Sequence, residues 1–335
     1  MNDLARLGQV VCLGVHILDI LGRPVTIIPP GQHSILIDEI RVTAAGTAGG
    51  TSVDLAKLGV MVRNVGAIGD DVLGDFVLRL LEENGVDASL LTRFAGLTSA
   101  TILPIRPNGE RPALHVPGAN VKFSAADLTD AQRDAVTSCA AVHIGGLDAM
   151  SSLDPEAIGD LVARARTRGA LVTMDVLRIG DRRSLESLGP VLCHTNWFCP
   201  NEEQLLSLTE CSDVGDAARV VLNAGAGGVA ITQGEKGCRV IDHEIDVSIP
   251  ALNIEVVDTT GCGDGFDAGF LTGLLSGLSP ESAAWVGTVC GGLVATGLGS
   301  DAGITGLEQV VSILDDQSDD CARVAASRLA ELMNA

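Results

Sequence analysis

Residues 256–266 read VVDTTGCGDGF, and they join a short β-like run to an apolar segment with helical periodicity. Gly261 and Gly263 let the chain turn sharply without side chains that would cover the peptide nitrogens. The first turn of a helix has unpaired N–H groups and the positive end of the helix dipole, so this turn predicts an anion-binding site. Asp264 follows directly and is interpreted as a proton acceptor for a hydroxyl group. Taken alone, it would more often be a helix N-cap.

On either side of this turn, short apolar runs alternate with helical segments. Strand-then-helix repetition predicts an α/β fold with a mostly parallel central sheet covered by helices on both faces. The predicted strands are residues 9–13, 24–28, 34–42, 62–68, 98–106, 112–116, 141–144, 171–176, 197–199, 229–232 and 240–249. The predicted helices are residues 50–58, 70–84, 154–168, 202–208, 265–278 and 280–295.

The strands predicted near the start of the chain and the Asn108-Gly109 pair interrupt the alternation. An Asn-Gly pair between two β-like runs predicts a hairpin. We therefore expect a small separate β element in addition to the central sheet. Because the sequence contains no repeat and no linker, residues 1–335 are predicted to form a single domain.

The composition argues against several classes of partner. The formal net charge is −21, and aromatic residues make up only 2% of the chain. Binding to nucleic acid or to an anionic membrane surface needs a basic surface, so we expect neither partner. The nine cysteines include no CxxC pair and the six histidines show no metal-ligand spacing, which favours a reducing compartment and no structural zinc. With no signal peptide or spanning segment recognised, a cytoplasmic location is predicted.

Residues 258–266 resemble the C-terminal signature of the ribokinase-like, or PfkB, family of carbohydrate and nucleoside kinases, with Cys262 in place of the usual alanine. Other segments resemble motifs of that family in the expected order: Gly49-Gly50, GAIGDDVLG at 66–74, PNEE at 200–203 and TQGEKG at 232–237. The resemblance covers most of the chain. It implies a ribokinase-like three-layer fold in which the small β-sheet, at about residues 15–45 and 97–120, forms a lid that excludes water.

The resemblance also implies roles for matching residues. Asp264 would be the catalytic base, and the amides of Gly261, Cys262 and Gly263 would form an anion hole. The implied acceptor-binding residues are Asp19, Gly49, Gly50 and Asp54. The implied nucleotide-binding residues are Asn201, Thr232, Gly234 and Gly237. The implied cation ligands are Glu203 for Mg²⁺, through water and with Asn201, and Asp258 and Thr260 for a monovalent cation such as K⁺.

The implied activity is phosphorylation of a hydroxyl group on a sugar or sugar-derived molecule by ATP and Mg²⁺, in a homodimer formed through the lid. Nucleoside phosphorylation is the alternative within the family. A non-catalytic regulatory or binding protein on a kinase fold is the alternative of another class, motivated by Gln204 where the family has glutamate. A nicotinamide-dependent oxidoreductase would rest on residues 297–302, GLGSDA, which follow a helical segment instead of a first strand.

Departures from the family pattern at three positions, and two further residues, leave questions open. Asp54 stands where many members have asparagine, and Ile17 and Thr51 differ from ribokinases proper, so ribose is a doubtful acceptor. Cys262 has two interpretations, an oxidisable thiol of lowered pKa or a packed small residue, and the second is favoured. Asp175 follows a central strand, where it would cap a turn or touch the site.

Overall fold

A computed structural model describes residues 3–334, and it shows two sheets and a set of helices that cover the larger sheet. The strands are β1 (Gln9–Gly14), β2 (Ile17–Arg23), β3 (Glu39–Ala45), β4 (Met61–Gly69), β5 (Leu91–Phe94), β6 (Ala100–Pro104), β7 (Leu114–Val116), β8 (Ala141–Gly145), β9 (Leu171–Asp175), β10 (Trp197–Phe198), β11 (Gly228–Thr232), β12 (Cys238–Asp242) and β13 (Asp246–Ile249). The α-helices are α1 (Thr47–Lys57), α2 (Val72–Glu83), α3 (Asp130–Ser138), α4 (Pro155–Thr167), α5 (Arg182–Leu192), α6 (Glu202–Thr209), α7 (Val214–Asn223), α8 (Cys262–Leu275), α9 (Pro280–Ala295), α10 (Leu307–Asp315) and α11 (Asp320–Asn334).

The central sheet has the strand order β13-β12-β11-β10-β9-β8-β1-β4-β5. From β11 to β5 all neighbouring strands are parallel, and β12 and β13 add an antiparallel edge. Residues 10–13 of β1 are completely buried, as expected for a strand covered on both faces. The predicted α/β fold class is therefore confirmed. The carboxyl ends of parallel strands lie at one edge of a sheet, where α/β proteins bind ligands.

The small sheet has the order β3-β2-β6-β7, with strands from both segments expected for it. The turn predicted at Asn108-Gly109 is present, since Gly109 has a φ of 81° and its amide donates to the carbonyl of Arg106. The strands on either side of this turn, β6 and β7, pair antiparallel, with Ile102 opposite Leu114.

Two predicted strands of the small sheet were wrong in position. Residues 24–28 do not form a strand; β2 instead covers residues 17–23 and ends before Pro24, which has no N–H group for a ladder. Ile27 and Ile28 are 61% and 66% exposed, so the apolar run that predicted a buried strand consists of surface residues. The strand predicted at 34–42 begins only at Glu39.

Helices α3, α5, α7, α10 and α11 were not predicted, although apolar residues lie on one face of α5, α7 and α10. The predicted start of α8 was Gly265, whereas the helix begins at Cys262. Asp264 therefore lies inside the first turn of the helix. None of the helices within residues 3–334 has the length and apolarity needed to cross a membrane. The cytoplasmic location stays a prediction.

Candidate active site

A cleft of about 1460 Å³ opens between the carboxyl edge of the central sheet and the small sheet. Three groups among its lining residues carry the candidate site. The small sheet and its hairpin contribute Asp19, Thr101, Leu103, Arg111 and His115. The ends of β9, β10 and β11 and the loops that follow contribute Asp175, Arg178, Asn201, Gln204, Thr232, Gly234 and Gly237. The turn into α8 contributes residues 259–264.

The turn that leads into α8 is held by a buried carboxylate. Asp258 is completely buried; its Oδ1 accepts hydrogen bonds from the Thr260 amide (3.0 Å) and hydroxyl (2.8 Å), and its Oδ2 accepts one from the Gly299 amide (3.0 Å). Gly261 has a φ of 79°, and an added Cβ would lie 2.4 Å from Cα of Ser300. Only glycine fits this position. The structure does not test K⁺ binding at Asp258 and Thr260, which stays a prediction.

Gly263 faces open space in the cleft. It is exposed, and a Cβ added there would meet no heavy atom within 4 Å. The first N–H groups of a helix have no partner within the helix, which leaves the Gly263 amide available to an anion in the cleft. The Cys262 amide makes a long hydrogen bond of 3.4 Å to the Thr259 carbonyl. The structure thus brings Gly261, Cys262, Gly263 and Asp264 together at the cleft, as the sequence predicted for an anion site beside a proton acceptor.

Asp264 lies on the cleft wall with a side chain that is almost enclosed, since the residue is only 8% exposed. Burial and, after it, the negative charge of Asp19 raise the pKa of Asp264, while the Arg111 guanidinium lowers it; together they bring this pKa to about 7. Burial likewise raises the pKa of Asp19 to about 6. A carboxyl group with a pKa near neutrality is suited to accept a proton from a hydroxyl group.

Gly50 lies against Asp264, although neither Gly49 nor Gly50 lines the cleft. A Cβ on Gly50 would fall 2.4 Å from Oδ2 of Asp264, so the missing side chain makes room for the carboxylate. A Cβ on Gly49 would make only an ordinary contact, 3.5 Å from Cδ2 of His16. The position of Gly50 thus corrects the expectation that it faces the acceptor.

The expected position of Asp54 also needs correction. Asp54 is completely buried beneath the cleft and does not line it. Neither of its carboxylate oxygens has a hydrogen-bond partner, and burial holds its pKa well above the usual range. A carboxyl group in such surroundings takes up a proton instead of staying charged.

All four residues expected to bind a nucleotide line the cleft: Asn201, Thr232, Gly234 and Gly237. Glu203, by contrast, is exposed and lies outside the lining, which corrects its expected position beside a metal.

Gln204 stands where the family resemblance implies glutamate, and its contacts use both the oxygen and the nitrogen of its side-chain amide. Its Oε1 accepts from the Asn201 amide (2.9 Å) and its Nε2 donates to the Val176 carbonyl (2.8 Å). A glutamate could not donate the second bond, so glutamine ties α6 to the end of β9.

The structure favours Cys262 as a packed small residue over Cys262 as an oxidisable thiol. Burial, opposed by the Arg111 guanidinium, raises the pKa of its thiol to about 12. The thiol therefore stays protonated at neutral pH.

Sequence reasoning missed several cleft residues. Arg111, His115 and Arg178 were not singled out for the site, and Asp175 was left open. Asp175 is the last residue of β9, and its place at a carboxyl strand end was the available signal. Arg111 follows the hairpin turn and Arg178 follows β9, and no local pattern distinguishes them from surface arginines.

The fold and cleft define a ribokinase-like phosphotransferase architecture. Solved structures show the same fold: an Arabidopsis thaliana ribokinase complexed with ribose and ATP (TM-score 0.78, 22% identity, covering 92% of this chain and 99% of that one), and an E. coli chain in complex with ATP and Mg²⁺ (TM-score 0.79, 20%, 92% and 99%). An uncharacterized sugar kinase of Archaeoglobus fulgidus is 28% identical over 70% of this chain and 90% of its own length. The model of the pfkB family of carbohydrate kinases matches residues 8–305. The chain belongs to that family and is an ATP-dependent carbohydrate kinase.

The contact between Gly50 and Asp264 predicts the effect of one methyl group. Gly50→Ala should lower kcat about tenfold or more, because its Cβ would displace the carboxylate of Asp264. ADP release measures turnover, and circular dichroism checks that the fold persists. The matched variant Gly49→Ala, whose Cβ has room, should keep most of the activity. Equal losses in the two variants would contradict the contact argument.

The raised pKa of Asp264 predicts a pH dependence. A base accepts a proton only as the carboxylate, so kcat/KM should rise with pH and level off above a midpoint near the pKa of about 7. Because the Arg111 guanidinium lowers this pKa, Arg111→Met should move the midpoint to higher pH. Profiles from about pH 5.5 to about pH 8.5 measure both effects. A midpoint that Arg111→Met leaves in place, or moves to lower pH, would speak against this assignment.

Proposed function

We propose that this kinase transfers the terminal phosphoryl group of ATP to a hydroxyl group of a sugar or sugar-derived molecule, with Asp264 as general base. One observation carries the proposal: a nearly buried carboxyl group of raised pKa lies in the first turn of α8, directly beside Gly263, which faces open cleft space. A base and an anion-binding site are needed side by side when a neutral hydroxyl attacks a phosphoryl group.

The proposed chemistry follows from these positions. The acceptor hydroxyl gives its proton to Oδ1 or Oδ2 of Asp264 while its oxygen forms a bond to the terminal phosphorus atom of ATP. The bond from that phosphorus to the bridging oxygen breaks, and ADP leaves. The amides of Gly261, Cys262 and Gly263 stabilise the charge on the transferring group, aided by the dipole of α8. The small sheet, which supplies Asp19 to the same cleft, keeps water from competing as acceptor.

ATP would lie along the half of the cleft lined by Asn201, Thr232 and Gly234. This half fits a nucleotide because Gly234 has a φ of 58° and no heavy atom within 4 Å of an added Cβ, so its backbone is open to a ligand. Mg²⁺ would neutralise charge on the ATP phosphates.

Within residues 3–334 no cluster of three or more His, Cys, Asp or Glu side chains could hold a metal alone. Mg²⁺ would therefore be held mainly by the phosphates, with Asp175 as the cleft carboxylate near Gln204.

The described residues favour a sugar over a nucleoside as acceptor. Among them, Phe266 is the aromatic residue that lines the cleft, and it is only 3% exposed, so little ring surface is free to stack on a base. The retained Asp264 and its open amides likewise argue against a purely regulatory protein.

Asp264→Asn should lower kcat roughly 10²- to 10⁴-fold, because asparagine keeps the shape of the side chain but accepts no proton. ATP binding, measured by calorimetry, should remain. The assay is ADP release with a panel of sugars and nucleosides, with and without K⁺. Unchanged turnover in Asp264→Asn would remove the proposed mechanism, and a clear preference for nucleosides would favour the alternative acceptor class.

We further propose that two copies associate through the outer face of the small sheet. The strand register places Val42, Ile20, Ile102 and Leu114 in one row across the sheet. Ile102 and Leu114 are 53% and 62% exposed, and Val42 is 39% exposed. A row of exposed apolar side chains on one sheet face is typical of an interface, and self-association of one face gives a closed dimer.

Ile102→Glu and Leu114→Glu should convert this dimer to a monomer, because each would bury a charge in the interface. Light scattering coupled to size-exclusion chromatography measures the mass. Val324→Glu, at a 56% exposed residue of α11, is the matched control and should not change it. A wild-type chain that is monomeric at micromolar concentration would contradict the proposal.

A further inference from the structure

Two arginines in the cleft make no ion pair, although carboxylates lie near enough to feel their charge. Arg111 comes from the hairpin of the small sheet and Arg178 from the loop after β9, and both are exposed residues of the cleft lining. Within residues 3–334 no hydrogen bond or ion pair holds either guanidinium group. The chain has 43 Asp and Glu against 22 Lys and Arg, so an exposed arginine has many carboxylates available. Many do pair, as Arg239 does with Asp246 (2.7 Å).

Both guanidinium groups lie on the acceptor half of the cleft. In the small sheet, Asp19, Thr101 and His115 are cross-strand neighbours and form one row that faces the cleft. Thr101 Oγ1 and His115 Nδ1 share a hydrogen bond of 3.0 Å. The positive charge of Arg178 helps to lower the pKa of His115, and that of Arg111 lowers the pKa of Asp19. The two cations therefore act on this row from the hairpin and from the β9 loop.

A neutral sugar would leave this arrangement unexplained. The hydroxyl-binding part of the site is already acidic, with Asp19 and Asp264 on the cleft wall. A net charge of −21 repels anions at long range, so an anionic acceptor needs local cations at the mouth of the cleft. Arginine is suited to this because its planar donors match the oxygens of a carboxylate or phosphate group.

We propose that the acceptor carries an anionic oxygen group, a carboxylate or a phosphate, that binds between Arg111 and Arg178 while its reactive hydroxyl reaches Asp264. The inference rests on the proposed phosphoryl transfer to a sugar-type hydroxyl. It narrows the acceptor class to sugar acids and sugar phosphates.

Matched pairs of probes test the charge alone: D-gluconate with D-glucitol, D-glucuronate with D-glucose, and D-fructose 6-phosphate with D-fructose. The wild-type enzyme should show a kcat/KM at least about tenfold higher for the anionic member of one or more pairs. The pair that responds tells a carboxylate from a phosphate. Equal or better use of the neutral members throughout would overturn the inference and leave the proposed kinase activity intact.

Variants then locate the anion. Arg178→Met should raise KM for the preferred anionic probe about tenfold or more and leave kinetics with its neutral partner nearly unchanged. Arg111→Met should raise KM for the anionic probe by a similar factor relative to the neutral probe, with both probes measured above the midpoint that this variant shifts to higher pH. Arg183→Met, at an exposed residue outside the cleft lining, is the matched control and should change neither. If Arg178→Met raised only the KM for ATP, that arginine would serve the nucleotide and the inference would fail.

Direct binding separates this inference from the proposed reaction. Thermal shift with the same six probes should show stabilisation by anionic members in wild-type and Arg183→Met protein, and its loss in Arg111→Met. Anion binding without any turnover would support the anionic site and remove the proposed phosphoryl transfer. Neither stabilisation nor turnover with any anionic probe would overturn the inference.

Discussion

The close approach of α1 to the first turn of α8 determines where the carboxylate of Asp264, the proposed base, lies. Gly50 has no Cβ, and this lets the carboxylate of Asp264 occupy a space that any other side chain would fill. The hydrogen bonds of Asp258 hold the preceding turn in place. Small residues continue along the helix: a Cβ on Gly269 would lie 2.6 Å from the Val286 carbonyl of α9. Because α8 is held closely on two sides, its N-terminal amides and Asp264 keep fixed positions, as electrostatic stabilisation requires.

Burial gives similar acidic side chains different tasks. Asp54, Asp175, Asp264 and Asp267 all have pKa values raised above the ordinary range, chiefly because they are withdrawn from water. Asp264 and Asp175 line the cleft, so a bound ligand can give a proton to them or make an ionic contact with them. Asp54 does not line it, and there the same physical effect produces a neutral buried group.

The two-residue period of the small sheet gives its faces separate roles. The row that contains Asp19, Thr101 and His115 faces the cleft, while the neighbouring row with Ile102 and Leu114 is exposed on the other side. A shift of one residue in register would exchange the two rows. Acceptor binding and the proposed association of two copies therefore depend on the same strand pairing.

The sequence by itself determined the α/β class and the sharp glycine turn at residues 258–264, because these depend on local periodicity and on glycines at fixed spacing. The family resemblance of the sequence predicted the cleft positions of Asn201 and Thr232. Only the tertiary structure decided that Asp54 is enclosed, that Glu203 lies outside the cleft and that Arg111 and Arg178 face one space. The strand boundaries near Pro24 were decided in the same way. The reason is physical: burial and charge depend on residues far apart in the chain that pack together, and local sequence patterns carry no record of those contacts.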